Sequence, residues 1–423
     1  MGTLKIVKEN LSFLSRHNPL LFRLIKKIQE SDHFSEARMN AAKQQRARQI
    51  VQYALSHSTF CRKIYQSVPV EKIMRGDLSP LPIINKSDIR HHVDSIATAP
   101  LKLLKAAHTS GTSGTPLLVY RSPGSILREH AYTWYFRMSH GLRISDPVVS
   151  LRATLDRNTM HYYNKAENVL YLSTYLLSKK NIVVYAKLIN QFKPKALYAF
   201  PSSSYMLANL LQQEEQKVNI PLIFTSSETL YPFQREKIEE TLNGRIMDYY
   251  GNVERSIAYG QCAYGSYHEM PLYSINEFPE KGVITTALMN KSFPLIRYFV
   301  EDSFLMSDGI CECGKPLTIK SIEGRFDNFV KCPDGTIVTG MSMAFRGING
   351  LQYAQIIQEE IPSIQVNLVT SPVFQDNDQQ ILLKQLRNRL GDSLNIVFNK
   401  VEEEQIIKTP GGKYTLVLSR LPK

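Results

Sequence analysis

The chain has no run of about 18 uninterrupted apolar residues, the length a helix needs to cross a bilayer. From Met1 to Arg16 it also lacks the basic-then-apolar layout of a secretory signal. Cysteine is scarce. Cys61, Cys262, Cys311, Cys313 and Cys332 are an odd number in 423 residues, which argues against a disulfide framework and leaves metal binding or inert burial. These absences favour a cytoplasmic globular protein. A G-x-x-x-x-G-K-[ST] phosphate loop is missing. Aromatic residues of the kind that stack bases do not interleave with the basic N-terminal residues, so no nucleic-acid partner is expected.

What the chain does have is 43% hydrophobic residues, enough to bury a large core in two or three domains. The net charge of +13 is concentrated at one end: residues 1–110 carry 18 Lys and Arg against 8 Asp and Glu. Such a basic head suits a solvated face, an anionic membrane or a phosphorylated substrate. Leu20, Leu21, Leu24, Ile25 and Ile28 recur at helical spacing with Arg23, Lys26 and Lys27 between them, as in a helix packed on its own domain or one lying on a membrane surface.

Further along, the pattern predicts a helix over Ser35 to Ser67 and a second one capped by Asn85 or Ser87. Strand and helix then alternate. Strands are expected at Leu117–Arg121, Val148–Arg152, Ala196–Phe200 and Leu222–Ser226, and helices at Ser125–His140, Ile182–Phe192, Ser203–Glu215 and Pro232–Leu242. This is the rhythm of an α/β domain, whose ligands sit at the carboxyl ends of the strands. Before it lies Thr109-Ser110-Gly111-Thr112-Ser113-Gly114-Thr115-Pro116, whose glycines let backbone N–H groups approach an anion and whose hydroxyls add rotatable donors. Taken alone, that octamer is equally a surface turn.

Thr109 to Pro116, Tyr250-Gly251-x-x-Glu254, Arg297-Tyr298-x-x-x-Asp302, Gly324-Arg325-x-Asp327 and Gly412-Lys413 follow one another in an order and spacing that resembles the adenylate-forming acyl ligases. More narrowly, together with Ala54 to Tyr65 and Leu81 to Lys86, they resemble the phenylacetate-CoA ligase branch. That branch includes the CapK-type proteins associated with polysaccharide biosynthesis and the coenzyme F390 synthetases. The resemblance implies a large N-terminal α/β domain, residues 1–328 with a basic helical head at 1–100, and a small mobile α+β C-terminal domain, residues 329–423.

It also implies the site. Activating a carboxylate brings two anions together and requires donors and positive charge around the α-phosphate of ATP. By resemblance, Thr109, Ser110, Gly111, Thr112, Ser113 and Gly114 hold the triphosphate, Ser227 and Glu228 line the adenine pocket, Tyr250 beside Gly251 stacks on the base, and Glu254 places Mg²⁺. Asp302 accepts from the ribose hydroxyls, Arg325 reaches ribose or phosphate, and Lys413 is the catalytic lysine, with Lys408 as its fallback. Two positions depart from the family. Thr115 stands where many relatives carry Lys, and Glu301 stands where Gly is usual, a carboxylate whose repulsion Arg297, Arg325 or Mg²⁺ must offset.

Cys262, His268, Cys311 and Cys313 form a separate set: three thiolates and an imidazole suit a closed, structural Zn²⁺ site. Residues near Trp134, Tyr198 to Ser202 and Gly251-Asn252 are candidates for the acyl pocket. The expectation is an ATP-dependent ligase that passes an acyl group from its adenylate to CoA, or the acyl or adenylyl group to an amine or hydroxyl acceptor. The competing expectation is a non-catalytic nucleotide-binding scaffold in polysaccharide assembly.

Overall fold

A computed structural model describes residues 13–421 other than 69–75, 109–116, 153–154, 156–157, 229, 231, 281, 307–308, 317–318, 325–328, 339–340, 346–347, 403–404 and 408–415. These residues form two compact units. One contains the chain up to Ala107 with Leu118–Gly324, and the other contains His108, Leu117 and the chain after Gly324.

The first unit is built on a ten-stranded sheet: β1 (Val148–Leu151), β2 (His161–Asn164), β3 (Val169–Leu172), β4 (Ala196–Ala199), β5 (Leu222–Ser226), β6 (Arg245–Gly251), β7 (Ala258–Gln261), β8 (Tyr267–Glu269), β9 (Ser303–Met306) and β10 (Ile319–Gly324). Their spatial order is β9-β10-β8-β7-β6-β5-β4-β1-β3-β2. The five strands from β3 to β6 are parallel, and the strands outside them run antiparallel. Parallel strands need covering on both faces, and the residues alternate accordingly. Val149, Leu151, Leu197, Ala199 and Ile223 point into one buried cluster with α4 (Ile182–Phe192), α5 (Pro201–Gln213) and α6 (Pro232–Leu242). Their neighbours Val148, Ala196, Tyr198 and Phe224 point into a second cluster with α1 (Pro19–Asp32) and α3 (Pro123–Ser139). Between α1 and α3 in the chain lies α2 (Glu36–His57).

The α1 stripe of Leu21, Ile25 and Ile28 is buried in that second cluster, so the apolar face a membrane-surface helix would insert is already covered by α3. Leu20 and Phe22 remain exposed. The expected helix over Ser35 to Ser67 divides at Ser58, which ends α2 and caps a short helix, Thr59–Ile64, by accepting from the Cys61 N–H at 3.2 Å. Its hydroxyl also donates to the Ser95 carbonyl at 2.8 Å. A serine with two such partners stabilises a break that apolar periodicity does not reveal.

Ahead of α1, His17 meets His130 and Trp134 of α3 edge-on, with ring centroids 5.2 and 5.8 Å apart. Burial, with the nearby positive charges adding to it, holds His130 down to about 3, and burial also lowers His17. A histidine kept neutral in the fold contributes stability that is complete above about pH 6.5 and is lost as pH falls toward 3, because only the unfolded chain takes the proton. His130→Gln is therefore expected to flatten the decline in urea stability between pH 6.5 and 4 by up to about 1.4 kcal/mol per pH unit. Parallel pH profiles for the two proteins would contradict this.

The second unit carries a four-stranded sheet of β11 (Leu351–Gln358), β12 (Ser363–Thr370), β13 (Asn395–Lys400) and β14 (Val417–Ser419), in the order β13-β12-β11-β14. Leu382, Leu386 and Leu390 of α7 (Asp376–Leu390) pack on Ile356, Val366 and Leu368. Two fully buried glutamines in β11 act as backbone clamps. Gln355 donates to the Ile407 carbonyl at 2.8 Å and accepts from its N–H at 3.0 Å, and Gln358 pairs the same way with Lys331.

Candidate active site

Since β1, β4, β5 and β6 are parallel, their carboxyl ends share one edge of the sheet. Arg152 follows β1, Ser226 ends β5 with Ser227 just after it, and Tyr249 to Gly251 end β6. Ser227 has a φ of 74°, a conformation that L-residues other than Gly rarely hold without a local constraint. It is exposed, and Ser226 beside it accepts from Arg152 Nη2 at 3.1 Å.

Tyr250 reaches from β6 to the start of β9, where its hydroxyl donates to Asp302 Oδ2 at 2.6 Å. Its ring meets Phe304 edge-on at 5.2 Å. Burial pushes the Tyr250 phenol well up, with the Asp302 charge adding to the effect, so it stays a donor. Glu254 accepts from the Tyr298 hydroxyl at 2.8 Å through Oε1. Two tyrosines thus orient two carboxylates 48 positions apart in sequence. Asn252 stiffens the turn between Tyr250 and Glu254, donating to Ser256 Oγ at 2.8 Å and accepting from the Ser256 N–H at 2.9 Å.

Glu301 is answered by a different cation from those expected. Lys86 Nζ lies 2.8 Å from Glu301 Oε2, at the start of a helix that Asn85 and Asp88 close with a reciprocal capping box. Arg297 faces elsewhere. Its guanidinium holds both oxygens of Glu277 at 2.9 and 2.7 Å and donates to the Ser79 and Leu81 carbonyls at 2.7 and 2.6 Å. Arg297 therefore ties the Leu81 segment to a separate three-stranded sheet of Ser274–Glu277, Val283–Ala287 and Tyr298–Val300, and Ile84 continues that seam by exchanging backbone hydrogen bonds with Arg297 and Phe299. The expected offset of Glu301 by Arg297 is corrected accordingly.

Behind Ser226 and Tyr249 opens a cavity of about 200 Å³, walled by α3 and by the ends of β5 and β6. Gly251 and Asn252 line it, as do Thr133 and Phe136 beside the buried Trp134. The charged lining, Glu129, Arg137 and Arg152, was missed by sequence reasoning. Glu129 and Arg137 lie on α3 and Arg152 follows β1, and only the position of the sheet shows which side they face.

The Cys and His residues come together elsewhere in the first unit. Cys262 follows β7, His268 lies in β8, and Cys311 and Cys313 sit in the loop between β9 and β10. Their ligand atoms all lie within 4.8 Å of one another, with Cys262 Sγ 3.6 Å from Cys311 Sγ and Cys313 Sγ 3.2 Å from His268 Nε2. Thiolates bound at about 2.3 Å around a tetrahedral ion sit roughly 3.7 Å apart, so the donor set fits zinc. Both cysteine segments form the same tight turn. Gly265 N–H returns to the Cys262 carbonyl at 3.0 Å and Gly314 N–H to the Cys311 carbonyl at 2.8 Å, each glycine at a φ above 80°. Burial lowers His268, which favours the neutral ring that ligates.

Thr109 to Gly114, Arg325, Lys408 and Lys413 lie outside the described residues. Glu228 and Gly251 are placed beside Ser227 and Tyr250 at the same strand ends.

Residues 330–420 match the CapK C-terminal domain family. Across 98% of this chain and 96% of the relative, the sequence is 26% identical to Protein CapK of Staphylococcus aureus. It is 22% identical to phenylacetate-coenzyme A ligase of Thermus thermophilus, over 84% of this chain and 86% of that protein. 2-Hydroxyisobutyryl-CoA ligase, solved with 2-HIB-AMP and CoA in the thioesterification state, superimposes with a TM-score of 0.60 at 16% identity, covering 92% of this chain and 91% of the other. The fold is that of the adenylate-forming acyl-CoA ligases, a large α/β domain with a smaller C-terminal one. In sequence the chain is homologous to CapK over its full length and, more distantly, to phenylacetate-CoA ligase.

Proposed function

We propose that this protein is an ATP- and Mg²⁺-dependent ligase that joins a small carboxylic acid to AMP and passes the acyl group to CoA, in the service of capsule or other polysaccharide synthesis. The observation that carries the reading is the pairing of Tyr250 with Asp302 and of Tyr298 with Glu254 at the carboxyl ends of the parallel strands, beside a cavity large enough for a short acid. Asp302 presents its other oxygen to the ribose hydroxyls, and the exposed Ser227 and the neighbouring Glu228 border the adenine.

Glu254 is suited to hold Mg²⁺: its carboxylate is oriented through one oxygen by Tyr298 and supplies the hard donor that ion prefers. Bound there, the ion would neutralise phosphate charge. The loop from Thr109 to Gly114 is assigned to the triphosphate, Arg325 to ribose or phosphate, and Lys413 to the charge that builds between carboxylate and α-phosphate. Residues 329–423 are assigned as the mobile small domain.

Acid-dependent exchange of labelled pyrophosphate into ATP, run over a panel of carboxylic acids, tests the reading. Exchange with at least one acid is expected. Nucleotide binding without exchange across the panel would favour the scaffold role, for which Thr115 in place of lysine is the specific observation.

Lys86 gives a finer test. Lys86→Met removes the counter-charge of Glu301 and is expected to raise the KM for ATP several-fold, about 1 kcal/mol. The double variant Lys86→Met/Glu301→Gln is expected to restore it. A double variant as impaired as the single one would show that Lys86 acts otherwise.

A further inference from the structure

A second cavity, of about 320 Å³, lies between α1, α2, α3 and the turn that follows Val283–Ala287. It uses a different face of α3 from the candidate active site: Arg128 and Tyr132 line it, whereas Glu129 and Thr133 line the first cavity. Four cations from four separate segments surround it, Lys27 of α1, Arg46 of α2, Arg128 of α3 and Lys291 of the turn. No carboxylate joins them. The acidic residues of the three helices, Glu30, Asp32, Glu36 and Glu129, are all outside the lining. Asp32 pairs with Lys315 at 2.6 Å, Glu129 accepts from the Tyr273 hydroxyl at 2.6 Å, and Glu269, whose charge acts on Tyr132, pairs with Lys43 at 2.5 Å. Two of the cations are fixed in place. Arg128 donates to the Met289 carbonyl at 2.8 Å and Arg46 to the Leu272 carbonyl at 3.2 Å, each through Nη1, which leaves further N–H donors on both guanidinium groups. The ammonium groups of Lys27 and Lys291 make no hydrogen bond or ion pair with any described residue. Between the cations the floor is apolar, formed by Leu24, Ile28 and Leu288. Leu20, half exposed one turn before Leu24, extends it along α1.

Four like charges gathered around a concave space, with no carboxylate among them, focus a positive potential there that an anion relieves. A merely solvated basic face needs no cavity and no apolar floor. We propose that this cavity binds an amphiphilic phosphate monoester, with its head among Lys27, Arg46, Arg128 and Lys291 and its alkyl segment against Leu24, Ile28 and Leu288. Phosphate suits the cations better than carboxylate does, because a monoester brings close to two negative charges and three acceptor oxygens at pH 7, and the guanidinium fork matches its geometry. The volume of about 320 Å³ admits the head with a short alkyl segment, and a longer chain leaves past Leu20. The site stands apart from the ligase reading, since none of these side chains belongs to the proposed nucleotide or acyl site.

Hexyl phosphate, inorganic phosphate and hexanol form the probe set. Binding to the full chain is measured by calorimetry, with a non-hydrolysable ATP analogue present so that the nucleotide site is not what is read. Hexyl phosphate is expected to bind at least about tenfold more tightly than either of the others, because only it uses both the cations and the apolar floor. The double variant Lys27→Gln/Lys291→Gln, which removes no contact of the fold, is expected to weaken hexyl phosphate at least about tenfold and to leave the unfolding midpoint unchanged. Arg46→Gln is expected to weaken it as well. Vesicles of phosphatidylcholine with phosphatidic acid separate the sources of such a head group. Co-sedimentation that the double variant abolishes assigns the ligand to a membrane lipid, and hexyl phosphate binding without co-sedimentation assigns it to a soluble ester. Hexyl phosphate that binds no more tightly than inorganic phosphate or hexanol, or that binds the folded double variant and Arg46→Gln as it binds the wild type, overturns the proposal.

Discussion

Replacing Asp302 with alanine is expected to lower kcat/KM for ATP by about 10²- to 10³-fold. In the proposed site the carboxylate accepts charge-assisted hydrogen bonds from the ribose hydroxyls, each worth about 1.5–3 kcal/mol, and its loss also strips Tyr250 of its partner. Tyr250→Phe should cost much less, about tenfold or below, because it removes the 2.6 Å hydrogen bond that orients Asp302 and keeps the acceptor itself. The ordering is the informative part. Steady-state kinetics with ATP varied would read it directly, and an Asp302→Ala enzyme within fivefold of wild type would remove Asp302 from the nucleotide site.

The other large effect concerns the Cys and His cluster. One zinc per chain is expected by elemental analysis, and Cys311→Ser should lose it. Breaking a closed four-ligand site belongs with the largest single-residue losses, about 4–5 kcal/mol, which for a large domain is a fall of roughly 8–20 °C in Tm. The reason lies in the topology. Cys262 and His268 belong to the β7–β8 hairpin, and Cys311 and Cys313 belong to a loop 43 or more positions later, so the ion would cross-link the antiparallel flank of the sheet. Lys315 in that same loop pairs with Asp32 at the end of α1 at 2.6 Å, which fastens the loop to the helical layer as well. A wild-type protein that purifies without zinc and whose Tm ignores a chelator would contradict this account.

Much of the architecture was legible because it rests on local signals. The β1, β4 and β5 strands are short apolar runs between turn residues, and the helices that follow them carry their apolar residues at helical spacing, as Ile182, Tyr185, Ala186 and Ile189 do on α4. The cap before the helix from Lys86 was legible only as Asn85 or Ser87, and the structure gives it to Asn85 through its capping box with Asp88. β11 was not. Gln355 and Gln358 interrupt its apolar pattern, and the backbone groups that justify burying them belong to Ile407 and Lys331, which no local window contains. The same limit explains Glu301. Its partner Lys86 is 215 positions away, whereas the nearer Arg297 is occupied by Glu277. Tyr250, Glu254 and Asp302 could be named from their motifs, but the hydrogen bonds that couple Tyr250 to Asp302 and Tyr298 to Glu254 required the fold. Arg137 gave no sequence signal beyond being a charged residue near the end of an amphipathic helix.

In the proposed reaction a carboxylate oxygen attacks the α-phosphate of ATP, pyrophosphate leaves, and that oxygen stays with AMP when the acyl group departs. Turnover of an ¹⁸O-carboxylate-labelled acid, with CoA or hydroxylamine as acceptor and the nucleotide analysed by mass spectrometry, tests it most directly. The account predicts AMP carrying one ¹⁸O atom and unlabelled pyrophosphate. Label in inorganic phosphate with ADP as the nucleotide product, or AMP formed without label, would contradict it.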